Sequence, residues 1–238
     1  MAALKISVVV PVLNEEREIG DCIRAVRALP GDFEIIVADG GSSDATLAEA
    51  RAAGADHIVQ SPRGRGTQIR KGSDVTIGEA LLFLHADARL PQDAARHVAE
   101  TLADPRWSAG AFRVRHRRDG LTGPARWLIG IADLRSRCAR IPYGDQAVFT
   151  LRRIYERIGG MPDQPLMEDI EFARRLLRLG PIRRVPVVVQ VSGRRFQSRP
   201  LRSFLSWNTF PTLYRIGVSP ERLARWYGAS AGLSDTKS

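Results

Sequence analysis

"LLFLHADAR", residues 81–89, decides how the rest of the chain is read. An apolar run from Leu81 to Leu84 leads straight into His85-Ala86-Asp87. Such a run suits a strand buried on both faces of a parallel sheet. The carboxyl ends of those strands line the crevice where ligands sit in open α/β folds. The pattern therefore predicts a strand over 79–87 that delivers His85 and Asp87 to a ligand, since side chains two apart on an extended segment share a face. One octahedral cation, Mg2+ or Mn2+, would accept such ligands, with diphosphate oxygens completing its shell. A cap for a helix opening at Pro91 explains Asp87 taken alone.

Upstream, "ISVVVPV" (6–12) is a continuous β-branched run and predicts a first buried strand. Asn14 then predicts a helix N-cap, with Glu15, Glu16 and Glu18 favoured by the helix dipole in the first turn. Ile19, Cys22, Ile23, Val26 and Leu29 follow at helical spacing before Pro30-Gly31. A strand over 33–39, a helix over 42–55 stopped by Gly54, a short strand over 56–60 and a short helix after "SPRGRGTQ" lead back to residue 79. This β-α-β-α-β-α-β order predicts a doubly wound, mostly parallel α/β sheet flanked by helices. Beyond it the expected elements are a strand with one wet face (109–116), a helix over 121–140, a strand in "QAVFTLRR" (146–153), a helix over 168–180 and an edge strand over 182–193.

The chain has 238 residues, enough for one α/β domain with a sizeable core, and a formal net charge of +10. Its lysines are Lys5, Lys71 and Lys237, so arginine carries nearly all the positive charge. Arginine matches phosphate bidentately, which fits nucleic acid, an anionic membrane surface or a phosphorylated small molecule. Cys22 and Cys138 are too few for a disulfide framework, and Cys22 falls on an apolar helical stripe as a buried free thiol. The opening "MAALKISVVVPV" reads as a strand rather than a signal peptide, and no segment reaches the ~18 apolar residues of a membrane span. A reducing cytoplasm is the expected compartment.

Other stretches can carry chemistry. "PVLNEE" (11–16) fixes the chain at Pro11 and Asn14 where it leaves the first strand and turns Glu15 toward the crevice, although capping explains the same residues. "VADGGSSDAT" (37–46) ends the second strand at Asp39, whose carboxylate suits a base or ribose, and Gly40 and Gly41 allow close approach. Neither is the GxGxxG that a dinucleotide oxidoreductase needs after its first strand. "SPRGRGTQIRKG" (61–72) offers Arg63, Arg65, Arg70 and Lys71 beside glycines, as a diphosphate grip or as a solvated loop. In "MEDIEFARRL" (167–176), capping accounts for one acid, and the pair Glu168-Asp169 suggests a general base. "PYGDQ" (142–146) places Asp145 and Gln146 on a tight loop that can face the same crevice.

In this order and at these spacings, "SVVVPVLNEE", "IIVADGGSSDAT", "FLHADAR" and "MEDIEFARRL" resemble a family 2 glycosyltransferase of the GT-A fold, over at least residues 6–180. The resemblance implies a nucleotide-sugar donor, usually a UDP-sugar, lying across the carboxyl edge of the sheet. By motif position it implies that Pro11, Asn14 and Glu15 contact the nucleoside, that Asp39 bonds the base and that Arg65 lies by the donor phosphates. Val12, Gly40, Gln68, His85 and Ala86 join the donor side, and Asp87 would hold Mg2+ or Mn2+ where the family has Asp-x-Asp. Asp169, paired with Glu168, would be the general base, and Gly144, Asp145 and Gln146 would face the acceptor. The implied reaction is an inverting transfer of one sugar to a hydroxyl. The implied organisation is a single domain over 1–228, with a nucleotide-sugar half (1–105), an acceptor and catalytic half (106–193), an amphipathic C-terminal helical segment (194–228) and a flexible tail (229–238).

The chain departs from the family pattern in places. His85 replaces the first carboxylate of Asp-x-Asp, which weakens the expected metal site, and no histidine follows His116 to match the family's later one. "SGRRF" (192–196) does not match the Gln-x-x-Arg-Trp of processive members, so a single transfer is expected. Over 202–228, Phe204, Trp207, Phe210 and Tyr214 stand among Arg202, Arg215, Arg222 and Arg225 near helical spacing. That suits an interfacial helix on the inner face of an anionic membrane and a lipid or lipid-linked acceptor; packing of those aromatics on the domain is the alternative. A sugar-phosphate nucleotidyltransferase would carry a glycine-rich basic loop after the first strand, where this chain is acidic. A nucleic-acid binder would need a basic stripe interleaved with exposed aromatics, whereas these arginines spread over both halves, so no nucleic-acid partner is expected. A homodimer is left open by the sequence.

Overall fold

The run KISVVVPV becomes β1 (Lys5–Val12), with Ile6, Val8, Val9 and Val10 fully buried. Such a strand needs cover on both faces, and it pairs in parallel with β2 (Asp32–Asp39) on one side and β4 (Ala80–Phe83) on the other. The remaining strands are β3 (His57–Gln60), β5 (Ala88–Arg89), β6 (Ala109–Arg117), β7 (Phe149–Leu151) and β8 (Ile182–Ser192). Together they form one eight-stranded, mostly parallel sheet in the order β3-β2-β1-β4-β7-β6-β8-β5. This is a computed structural model; the residues it describes are 4–117, 129–130, 133, 141–193 and 209–231. Almost all of the expected helix over 121–140, Cys138, the stretch 194–208 and the last residues 232–238 lie outside them.

Alternation along the strands divides the core. Val8, Val10, Ile35 and Leu82 face α1 (Ile19–Arg27), α2 (Thr46–Ala52) and α4 (Ala94–Leu102), which contribute Ile19, Ile23, Ala50 and Val98. Val9, Ile36, Leu81 and Phe83 face α3 (Arg65–Asp74), α5 (Arg152–Arg157) and α6 (Glu168–Leu177), through Ile69, Tyr155, Phe172 and Leu176. A last helix, α7 (Pro220–Ala231), is anchored by the fully buried Leu223. The free Cys22 sits in the first layer, where burial pushes its thiol up to about 12, so it is inert at neutral pH. No helix among the described residues is long and apolar enough to cross a membrane.

Several expected elements are corrected. Helix α1 starts at Ile19 rather than after Asn14, because Asn14 takes a left-handed φ of 53° and its Oδ1 accepts from the Ser43 N–H at 2.9 Å instead of capping. Helix α2 is shorter than 42–55, since Ser42 and Thr46 accept from the Asn14 and Glu15 N–H groups. The strand expected over 79–87 ends at Phe83. Residues 85–88 then form a turn, closed by the Ala88 N–H on His85 O at 3.0 Å, so His85 and Asp87 do not share the face of an extended segment. The strand expected over 146–153 shrinks to β7, and 152–157 is helical. Strand β8 is not an edge: it pairs with β6 along its length and with β5 at Val191 and Gln190. Pro186 falls at the break in register with β6, where its missing N–H costs no ladder bond. Residues 229–231, expected in the tail, belong to α7.

Gly72 lets α3 lie directly on β1 and β2: a Cβ there would stand 2.6 Å from Val9 Cγ1 and 3.2 Å from Ala38 Cβ. Gly72→Ala is expected to destabilise the fold by about 1–3 kcal/mol in urea unfolding. An unchanged unfolding midpoint would show that α3 is not seated this tightly.

Candidate active site

The chain runs from β1 outward to β2 and β3, then returns to β4 on the other flank of β1. That makes the carboxyl ends of β1 and β4 the switch point where a crevice opens. Pro11 from β1, His85 beyond β4, Arg65 at the start of α3, Gly144 from the turn 144–146, and Glu168 and Asp169 at the start of α6 line one cleft there. Phe172 seats α6 by meeting the Phe83 ring edge-on at 5.5 Å, and Glu168 and Asp169 stand one turn earlier on the same side of the helix.

The Arg65 guanidinium occupies the middle of the cleft. Its Nε donates to Glu168 Oε1, Nη2 lies 3.3 Å from Asp169 Oδ2, and Nη1 lies 3.3 Å from His85 Nε2. Burial works against its charge, but Glu168 and Asp169 outweigh that and raise its pKa above the ordinary value. Arginine has no acceptor, so a hydrogen bond between the two uses the His85 Nε2 lone pair. Asp169 also accepts the Gly144 N–H on Oδ2 at 2.9 Å and the Ile170 N–H on Oδ1 at 2.8 Å. Gln146 is fully buried beside Gly144 and Asp145 in the same turn.

The expected nucleoside side is a second group at the ends of β1 and β2. Asp39, 1% exposed, accepts the Gly41 and Ser42 N–H groups at 3.0 and 3.1 Å and so organises the loop after β2. Gln68 braces the two strand ends, its Nε2 donating to Val12 O at 2.7 Å and Ala38 O at 2.9 Å. Gly40 lies over it, where a Cβ would meet the amide at 3.0 Å. Asn14 and Glu15 are bound to the 42–46 loop. Of the basic residues in this loop, Arg65 alone lines the cleft: Arg70 donates to Met161 O and Gly159 O, while Arg63 and Lys71 are exposed.

Asp87 is 3% exposed, and its Oδ1 is buried without a hydrogen-bond partner among the described residues. Asp87 is not among the residues that line the cleft with Arg65, although its neighbour His85 is; a buried unmatched carboxylate oxygen suits a cation. No group of three or more His, Cys, Asp or Glu among the described residues could hold a metal. A cation at Asp87 would therefore take its remaining ligands from diphosphate oxygens and water, which is how Mg2+ usually binds.

Some of the site gave no sign in the sequence. Met167 and Ala147 hold left-handed φ values of 63° and 44°, just before α6 and just after the 144–146 turn; strain of this kind gathers at functional sites. His116 on β6 pairs with Asp133, Nδ1 to Oδ1 at 2.7 Å, both nearly buried. Gly66, next to Arg65, reads as a flexible loop glycine but is fixed by packing, since a Cβ there would stand 2.3 Å from Pro162 O.

The fold is of the GT-A class. Residues 7–161 match the family described as glycosyl transferase family 2, and the chain belongs to that family. A PGL/p-HBAD biosynthesis glycosyltransferase of Mycobacterium tuberculosis is 34% identical over 110 residues, 43% of this chain and 41% of that protein. The match thus spans about two fifths of that relative's length. Among solved structures, the mannosyltransferase PcManGT from Pyrobaculum calidifontis, in complex with GDP-Man and Mn2+, superposes with a TM-score of 0.67 at 22% identity, over 95% of this chain and 68% of that one. Glucosyl-3-phosphoglycerate synthase from Mycobacterium tuberculosis, with Mn2+, UDP and phosphoglyceric acid, does so at 0.59 and 22% identity, over 92% and 80%.

The His116–Asp133 pair makes a pH prediction. Burial opposes the imidazolium, but the Asp133 hydrogen bond and the carboxylates of Asp145, Asp133 and Asp87 raise its pKa. Its stabilisation is then complete below the ordinary histidine value of about 6.5 and is lost as pH rises through the raised folded value. His116→Gln should therefore cost more unfolding free energy at about pH 5.5 than at about pH 9. Equal costs at both would contradict a charged His116.

Proposed function

We propose that this chain transfers one sugar from a nucleotide-sugar, with inversion, to a hydroxyl acceptor. The observation that carries the reading is the convergence of Arg65, His85 and Asp169 in one cleft at the switch point, with the unmatched Asp87 oxygen just beyond β4. Asp169 accepts the proton of the acceptor hydroxyl while that oxygen bonds the anomeric carbon from the face opposite the nucleotide. The bond from that carbon to the diphosphate oxygen breaks, and its electron pair stays with the nucleoside diphosphate. Gly144 N–H and the helix start orient the Asp169 carboxylate. Arg65 stabilises the charge that grows on the diphosphate. Asp87 would hold a divalent cation, which would supply further positive charge for the same leaving group. The GDP-Man, UDP and Mn2+ of the two solved relatives support a nucleotide donor and Mg2+ or Mn2+ as cofactor here.

Calorimetric titration of UDP and GDP with Mn2+ tests this. One of them should bind, and Asp87→Ala should weaken metal-dependent binding by at least about tenfold. Affinity unchanged in the variant, or no binding of either nucleotide, would contradict the reading.

A separate observation supports a cytoplasmic enzyme docked on the inner membrane face, with a lipid-linked acceptor. Ile216 and Trp226 are 72% and 46% exposed, and Arg215, Arg222 and Arg225 are exposed around them. Phe210 and Tyr214 are half-buried, and the Tyr214 hydroxyl donates to Glu171 at 3.4 Å, so the expected aromatic stripe packs partly on the domain. Replacing Ile216 and Trp226 together by serine should lower partitioning onto anionic vesicles by about tenfold or more. Equal binding to neutral and anionic vesicles would rule this docking out.

A further inference from the structure

We infer that Glu168 is a positioning residue acting through Arg65, and not a second general base; this rests on the donor-site reading above. The two acids at the start of α6 are adjacent in sequence but differently placed. Glu168 is 3% exposed, and its carboxylate meets the Nε of Arg65; Asp169 is 17% exposed, with Arg65 Nη2 only at 3.3 Å. A base must reach the proton it removes, and the nearly buried Glu168 carboxylate is engaged by the guanidinium Nε. Gly66, next to Arg65, packs against this pair: a Cβ there would touch Glu168 Cβ and Cγ at 3.4 Å and clash with Pro162 O at 2.3 Å.

Held at Nε, the guanidinium turns Nη1 and Nη2 into the cleft, toward His85 and Asp169. That edge is the one that can grip a diphosphate bidentately. Asp169 already stands 3.3 Å from Nη2. Without the Glu168 charge the guanidinium would close further on Asp169, away from the diphosphate, and engage the base more tightly. Removing a negative charge also favours an incoming diphosphate; the lost direction of Arg65 is expected to cost more than this gain.

The test is a double-mutant cycle read by calorimetry: whichever of UDP or GDP the wild type binds with Mn2+ is titrated into wild type, Glu168→Gln, Arg65→Ala and the double variant. Each single variant should bind about tenfold more weakly, and the double variant no more weakly than Arg65→Ala. If Glu168→Gln does not fold, as judged by its melting curve, Glu168→Asp, which keeps the charge and shortens the reach, takes its place with the same expectation. Binding by the Glu168 variant as tight as wild type, or a further loss in the Arg65→Ala background, would overturn the positioning role while leaving the donor site intact. Failure of the wild type to bind either nucleotide would overturn the donor-site reading, and this inference with it.

Discussion

The ion pairing of Arg65 with Glu168 and Asp169 is the constraint on which the rest of the site depends. It joins α3 to α6, two elements about a hundred residues apart in the chain. A partly buried guanidinium needs carboxylates to offset its lost hydration, so the helix starts that carry those groups are drawn together. Glycines at 66 and 144 permit the contact: a Cβ at Gly66 would clash with Pro162 O, and one at Gly144 would stand 3.1 Å from Arg65 Nη1. The cleft is thus assembled by electrostatics on a floor already set by Phe83 and Phe172.

The sheet serves as the platform. Parallel strands β1 and β2 end level at Val12 and Asp39 while β4 stops opposite Val9, and the reversal of strand order around β1 leaves the gap that Pro11 and His85 line with Arg65. Beside it, the loop after β1 and the loop after β2 are laced by Asn14, Ser42, Ser43 and Thr46. Asp39 and Gln68 lock the strand ends from within. Residues expected to touch a nucleoside therefore also hold the loops that would receive it.

Much of this was legible in the sequence because it is local. Continuous β-branched runs gave away β1 and β2, and helical spacing marked the buried face of α1. What escaped reading depends on distant partners. Asn14 has the right chemistry for a cap, but its partner is Ser43, 29 residues on, and only the fold shows that competition. The run at 79–87 has the apolarity of a strand throughout, yet its backbone turns at 85–88 because Ala88 and Arg89 pair with β8, about a hundred residues further along. Glu168 and Asp169 are indistinguishable as letters. Burial against Arg65 separates them, beside Gly66, which reads as flexibility in sequence and acts as a packing contact.

The most direct test of the account is a crystal structure with Mn2+ and the nucleoside diphosphate that binds. The account predicts the diphosphate on the Nη edge of Arg65, the cation between it and the Asp87 carboxylate, and Asp169 facing the open side of the cleft. A diphosphate bound away from Arg65, or a cation that leaves Asp87 untouched, would contradict it.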